Sequence, residues 1–291
     1  HIVDEFCNDI GIKPGELGKP MHPINGLKPS GEEGQYQQIA SKHIGALMHL
    51  ARCTRGDIQC ATSTLAQFAT TEWGKEHDAA LTQVMGYCKN TAHLAWVADV
   101  PTNTAWNVWV DFDADFAGCQ YTRRSRTGVS INLWATDGTT VCVGWVSQKQ
   151  SRAAHSTPEA EIVALATKLH RGLRVQYVVE AIQGTLPELT CGTDSQGTID
   201  VVRKGYTHAM CHLERYRAVK VAWLNDLFFG PQAKGQKIRL AKVGTTENRA
   251  DPHTKPLMGP VFRTHRESMN IMPQRCDAAH AIASTTKATT H

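Results

Sequence analysis

Asp113, Glu161, Asp194 and Asp251 are the residues whose types and settings suit them to do chemistry together. Asp113 lies in the alternating run Trp109-Val110-Asp111-Phe112-Asp113-Ala114-Asp115-Phe116, and Glu161 opens an apolar helical run. Asp194 sits in Thr193-Asp194-Ser195-Gln196, and Asp251 ends Glu247-Asn248-Arg249-Ala250-Asp251. Carboxylates gathered from separate elements repel one another, so a fold that collects them normally does so around divalent metal. A pair of hard cations held between such carboxylates makes a centre that cleaves phosphodiesters.

Taken singly, each acid also has an ordinary role. Asp111, Asp113 and Asp115 are two apart, so one strand face projects all three, and spacing does not choose among them. Glu159 and Glu161 lie about 200° apart around a helix, and either suits the dipole of a first turn. Asp194 and Asp251 both stand where a helix cap would. Their order on strand, helix, strand end and helix start is more specific than any one of them.

The elements that must position these acids follow from periodicity. From Trp106 the apolar period is strand-like. Asn107 to Phe116, Gly128 to Ala135 and Val141 to Val146 read as three strands with Asp137-Gly138 as a turn, hence an antiparallel meander. Thr157 is the expected helix cap with Pro158 at the first helical position, and Ile162, Leu165, Ala166, Leu169 and Leu173 follow at helical spacing. Leu189 to Thr193 reads as a fourth strand, Ser195 to Lys204 as a short helix, Leu213 to Phe229 as another helix, Lys237 to Val243 as a fifth strand, with a last short helix near Asn248. The fold class is therefore α/β, with a mixed five-stranded sheet, antiparallel at one side and parallel at the other, flanked by helices. Upstream, residues 1–34 are rich in Gly and Pro and read as a surface connector. Three helices then follow within 35–100: one from Tyr36, one carrying Ile58, Ala61, Leu65 and Phe68, and one from Lys75 to Lys89. The tail from about Ala278 is small and polar and reads as disordered.

The bulk composition sets wide bounds. The chain has 291 residues, 41% hydrophobic and 20% charged, with a formal net charge of +4. That describes a globular, mildly basic protein, compatible with a nucleic-acid partner without requiring one. Nine scattered cysteines, odd in number and without Cys-x-x-Cys spacing, disfavour zinc-binding and disulfide frameworks and point to buried reduced thiols. No signal peptide is evident and no apolar run approaches the roughly 20 residues that span a bilayer, so an intracellular location without membrane contact is expected. The chain opens on His1 rather than Met, which reads as a piece of something longer.

Several segments resemble, in order, the ribonuclease H domain of copia-type retrotransposon polyproteins. Asp113-Ala114-Asp115-Phe116-Ala117-Gly118-Cys119, followed by Thr122-Arg123-Arg124-Ser125 and Thr127-Gly128, is similar to that family's first-strand signature, with Phe116 where Trp is usual. Trp145-Val146-Ser147-Gln148-Lys149-Gln150 resembles its third strand, Ser156-Thr157-Pro158-Glu159-Ala160-Glu161 its helix-opening motif, and Thr193-Asp194-Ser195-Gln196 a motif of ribonucleases H more widely. Glu247 to Asp251 with Thr254-Lys255-Pro256-Leu257 resembles the closing motif. Farther upstream, Ile44 to Ala51 and Cys53-Thr54-Arg55-Gly56-Asp57-Ile58 look like the end of a copia-type reverse transcriptase, with Gly56 where Pro is common.

The resemblance implies a ribonuclease H-like domain over 101–258, a helical subdomain over 35–100 and a C-terminal extension over 259–291. It selects Asp113, Glu161, Asp194 and Asp251 as metal ligands and catalytic residues. It implies two Mg²⁺ ions (or Mn²⁺) expected about 3.5–4 Å apart, and endonucleolytic hydrolysis of the RNA strand of RNA–DNA hybrids. Asp113 would bridge the ions, with Glu161 and Asp194 on one side and Asp251 on the other. Arg123, Arg124 and Arg126 are candidates for phosphate contact, and Ser195 and Gln196 for the sugar–phosphate backbone. Upstream reverse transcriptase domains of the same polyprotein are expected partners, in the cytoplasm or nucleus. No Tyr-x-Asp-Asp motif is present, so no DNA synthesis is expected. Two other readings remain open: a catalytically decayed tether that still binds nucleic acid, and a DNA-directed nuclease of the same fold. A strand-transfer core would end on a glutamate, whereas the last acid here is Asp251.

Overall fold

The computed structural model describes residues 1–70, 72–101 and 104–274. Its first core is helical: α1 (Ile2–Ile10), α2 (Gln37–Cys53), α3 (Gln59–Leu65) and α4 (Lys75–Asn90). Ala40, Ile44, Leu47 and Ala51 line one face of α2 and meet Ala61 and Leu65 of α3 and Leu81, Val84 and Met85 of α4. Residues 1–34 depart from the surface connector read from sequence. Val3, Phe6, Cys7 and Ile10 recur at helical spacing, and Phe6 and Cys7 are fully buried against this core. The glycines and prolines begin only at Gly11, which ends α1 in the left-handed region at φ 73°. Averaging over the whole segment hides the short amphipathic helix at its start.

After a short strand, β1 (Leu94–Trp96), come β2 (Trp106–Asp115), β3 (Arg126–Ala135) and β4 (Thr140–Lys149), which form the expected antiparallel meander. Helix α5 (Thr157–Gln183) crosses to β5 (Leu189–Thr193), which runs parallel to β2. Helices α6 (Gln196–Lys204), α7 (His212–Arg217), α8 (Val221–Phe229) and α9 (Ala233–Gln236) lead to β6 (Ile238–Lys242), parallel to β5. The sheet order is β4-β3-β2-β5-β6, the mixed α/β architecture expected from the pattern. Val108, Val110 and Phe112 turn one face of β2 into a core with Ile162, Leu165 and Leu169 of α5. The aspartates of β2 alternate with these residues and point to the other face.

Three local expectations are corrected. The cap of α5 is Ser156, whose Oγ accepts the Glu159 N–H, one residue before Thr157. The single helix read over Leu213–Phe229 is two, broken at Ala218, which sits at φ 53°. A continuous helix would place Leu213 and Val219 about 240° apart, and the break buries both in one core. Near Asn248 the chain forms no α-helix but two 3₁₀ turns, Thr245–Glu247 and Asp251–His253. Beyond them, α10 (Gly259–Ser268) inserts Phe262 into the helical core, and β7 (Ile271–Pro273) pairs antiparallel with β1. The tail reading from Ala278 concerns residues outside those described.

The helical unit is docked on the sheet. Trp145 Nε1 on β4 donates to Ala51 O at 2.8 Å, and its indole covers Gly56, where a Cβ would sit 2.7 Å from the ring. The close approach gives a local reason for a side chain to be absent at Gly56. On the aspartate face of the sheet, the closing turn lies on Gly128, which pairs with Asp113 across β2 and β3. A Cβ there would meet Thr254 Cγ2 at 2.5 Å and Ala250 O at 2.6 Å. Gly128→Ala is therefore expected to destabilise the fold by about 1–3 kcal/mol. This reads as a fall of several degrees in Tm in calorimetry. Gly144→Ala, whose new methyl would meet only Ile131 at 3.4 Å, serves as the near-neutral control.

Candidate metal centre

Three elements deliver three carboxylates to one place. Asp113 projects from β2, Glu161 from the first turns of α5, and Asp194 from the carboxyl end of β5. Each offers an oxygen, and all lie within 4.8 Å of one another. Glu161 Oε1 accepts the Ala114 N–H at 3.2 Å, which ties the helix to the strand. Its other oxygen, Oε2, is buried with no hydrogen-bond donor. Asp194 does not cap α6, because Ser195 does so, accepting the Thr198 N–H at 3.2 Å.

Asp251 joins from the closing turn. Its charge acts directly on Asp113. Lys255 Nζ stands 2.9 Å from Asp251 Oδ2 and 4.0 Å from Asp113 Oδ2. Asp113 Oδ2 also accepts the Thr254 hydroxyl. Asp251 Oδ1, like Glu161 Oε2, is buried without a donor. In the sequence Thr254 and Lys255 stand out only as part of the closing motif. The i+4 spacing of Lys255 from Asp251 is the signal that brings its ammonium to that carboxylate.

The remaining acids of the two ambiguous sets point elsewhere. Asp111 accepts Trp109 Nε1–H at 2.7 Å and lines a separate cleft of about 590 Å³ with Trp134, Arg239 and Arg249. Asp115 lies against Gly118. Glu159 faces Arg217, 3.1 Å from its Nε.

Electrostatics reflect the crowding. Burial, then the charges of Asp113 and Asp194, push Glu161 up to about 9. Burial, then the charge of Asp251, pushes Asp113 up to about 6. Burial also raises Asp251, against the hydrogen bond from Lys255. Burial works to lower Lys255, and Asp113 and Asp251 outweigh it, so its net shift is upward. An all-oxygen donor set with two donorless buried carboxylate oxygens fits a hard divalent cation.

The residues proposed to touch nucleic acid are placed less uniformly. Arg123 and Arg124 are exposed in the β2–β3 loop. Arg126 is corrected: it is buried, and Nη1 donates to Ser63 Oγ at 2.7 Å and Ser147 Oγ at 3.2 Å. It begins β3 facing the helical unit, and its guanidinium clamps α3 to β4. Ser195 is committed to its cap, and Gln196 is exposed, with Nε2 donating to Asp200 at 2.9 Å. Among the described residues no helix is long and apolar enough to cross a membrane.

The raised carboxyls carry a signed consequence for stability. A folded-state pKa above the unfolded value means that the folded chain holds its proton longer. For Glu161 that contribution is complete below its ordinary 4.5 and is lost as pH climbs toward about 9. In EDTA, Tm is expected to fall as pH rises from about 5 to about 9, and Glu161→Gln should flatten that slope. Mg²⁺ should raise Tm more at the alkaline end, where protons no longer compete for the ligands. Thermal scans across pH with and without metal check all three.

No family model matches the chain. It is similar to the retrovirus-related Pol polyprotein from transposon TNT 1-94 of Nicotiana tabacum, 27% identical over 244 residues, covering 82% of this chain and 17% of that polyprotein. It is also similar to the retrovirus-related Pol polyprotein from transposon RE1 of Arabidopsis thaliana, 24% identical over 277 residues, covering 93% of this chain and 18% of that one. The chain thus spans less than a fifth of the length of these curated relatives. Among solved structures, the protease-reverse transcriptase of prototype foamy virus aligns over 60% of this chain and 21% of its own, with a TM-score of 0.32 and 11% identity.

Proposed function

The chain belongs to the copia-type retrotransposon Pol polyproteins, and on that premise we propose that its carboxylate centre hydrolyses the RNA strand of RNA–DNA hybrids. One observation carries the reading. Asp113, Glu161 and Asp194, from a strand, a helix and a strand end, bring their oxygens within 4.8 Å of one another, with Asp251 and Lys255 alongside. Two Mg²⁺ ions bound there, or Mn²⁺ in their place, would activate a water for in-line attack and stabilise the leaving 3′ oxygen.

The protein's own groups prepare that centre. Asp113, grouped with Glu161 and Asp194 and under the charge of Asp251, would hold the cations together with those three acids. The Ala114 N–H fixes one oxygen of Glu161 and leaves the other to the metal. The Thr254 hydroxyl orients Asp113. Lys255, about a third exposed, is free to turn from Asp251 toward an incoming phosphate and offset its charge. Arg123 and Arg124 supply exposed cations for phosphates farther along the duplex. Gln196, exposed two residues after Asp194, would meet the 2′-hydroxyl that separates RNA from DNA. Water adds at phosphorus and the bond to the 3′ oxygen breaks, leaving a 5′-phosphate and a 3′-hydroxyl. The upstream polymerase domains of the same polyprotein would deliver the hybrid.

The test is cleavage of an end-labelled RNA annealed to DNA. Internal Mg²⁺-dependent products with 5′-phosphate ends are expected, and Asp194→Asn should reduce them to background. Cleavage of duplex DNA but not hybrid would establish the DNA-directed alternative. Absence of metal-dependent cleavage on both substrates would leave a decayed tether.

A further inference from the structure

A second cluster lies on the far side of the segment that carries Glu161. His155 precedes the cap of α5, Glu159 is in its first turn, and His212 opens α7. One ligand atom from each lies within 4.8 Å of the others. Glu159 is almost wholly buried, with 1% exposure. Its Oε2 accepts the His155 backbone N–H at 3.0 Å. His212 Nε2 is 3.3 Å from that oxygen, yet it is buried without a hydrogen-bond partner, because the approach is not in line. Glu159 Oε1 has Arg217 Nε at 3.1 Å and likewise no aligned donor. The two imidazoles stand edge to face, 5.1 Å apart at 84°.

A simple ion pair would aim an N–H of His212 at the oxygen. The observed separation has another meaning. Two ligands about 2.0–2.1 Å from a tetrahedral ion lie roughly 3.3–3.4 Å apart. We propose that His155, Glu159 and His212 form a binding site for one late first-row divalent cation, Zn²⁺ by chemistry, separate from the carboxylate centre.

Two imidazoles and one carboxylate select such an ion over Mg²⁺, which prefers oxygen alone. The Arg217 guanidinium, 3.1 Å from the other carboxylate oxygen, would balance its charge from outside the coordination sphere. His155 is exposed, so solvent supplies the remaining position. The site uses no cysteine, so the cysteine spacings gave no sign of it. An ion there would pin α7 to the entry of α5, two residues from Glu161, and stiffen the turn that delivers that ligand.

Tag-free full-length chain, saturated with Mg²⁺, is titrated with Zn²⁺ in a calorimeter and with Co²⁺ as a spectroscopic reporter. One equivalent should bind, with d–d absorption of a tetrahedral ion, no thiolate charge-transfer band and a rise in Tm. His155→Ala, at an exposed position that leaves the fold intact, and His212→Ala should each lose that equivalent. Asp194→Asn, which disables the other centre, should keep it. No binding, a thiolate band, or an equivalent lost in Asp194→Asn but kept in His155→Ala would each overturn the proposal.

Discussion

Asp113, Glu161 and Asp194 hold carboxylate oxygens within 4.8 Å of one another, the first two buried and the third half-buried. Like charge concentrated there costs free energy that the rest of the molecule must offset. The offsets are identifiable. A backbone N–H from Ala114 and a hydroxyl from Thr254 each take one carboxylate oxygen, and the Lys255 ammonium sits against Asp251. Protons do the rest in the absence of cations, which is why Glu161 stays protonated far above the usual carboxylate range. A meander, a parallel crossover and a closing turn laid on Gly128 all serve to hold four repelling groups at fixed positions.

Much of that scaffold is legible from residue order. The β2, β4 and β5 boundaries fall within a few residues of the alternation pattern, because Val108, Val110 and Phe112 fill one face and polar residues the other. Periodicity fails where the determining partner is distant. Nothing in Leu213–Phe229 marks a break at Ala218, because its reason is the shared burial of Leu213 and Val219. Residues 1–34 conceal α1 behind a glycine-rich average. At the site, spacing leaves Asp111, Asp113 and Asp115 equivalent. What separates them is what stands opposite: Arg249 and a tryptophan-lined cleft, the closing turn, or Gly118. Glu159 and Glu161 divide in the same way, one toward Arg217 and one toward Asp113.

Arg126 shows how a charge run misleads. Next to two exposed arginines it reads as part of a cationic surface, yet its guanidinium joins Ser63 on α3 to Ser147 on β4. With Trp145 bonded to Ala51 across the same junction, the helical unit braces the side of the sheet that carries the meander. A buried arginine with two hydroxyl partners is committed to structure, since exposing it would strand both of them.

The short ladder between β1 and β7 sets Leu94 beside Pro273 and Trp96 beside Ile271. The polypeptide therefore enters the sheet-bearing module and leaves it through one doorway. A module fastened at its threshold imposes no span on whatever surrounds it. Docked through Trp145 on Ala51 and through Arg126 on Ser63, it keeps one seat on the helical unit.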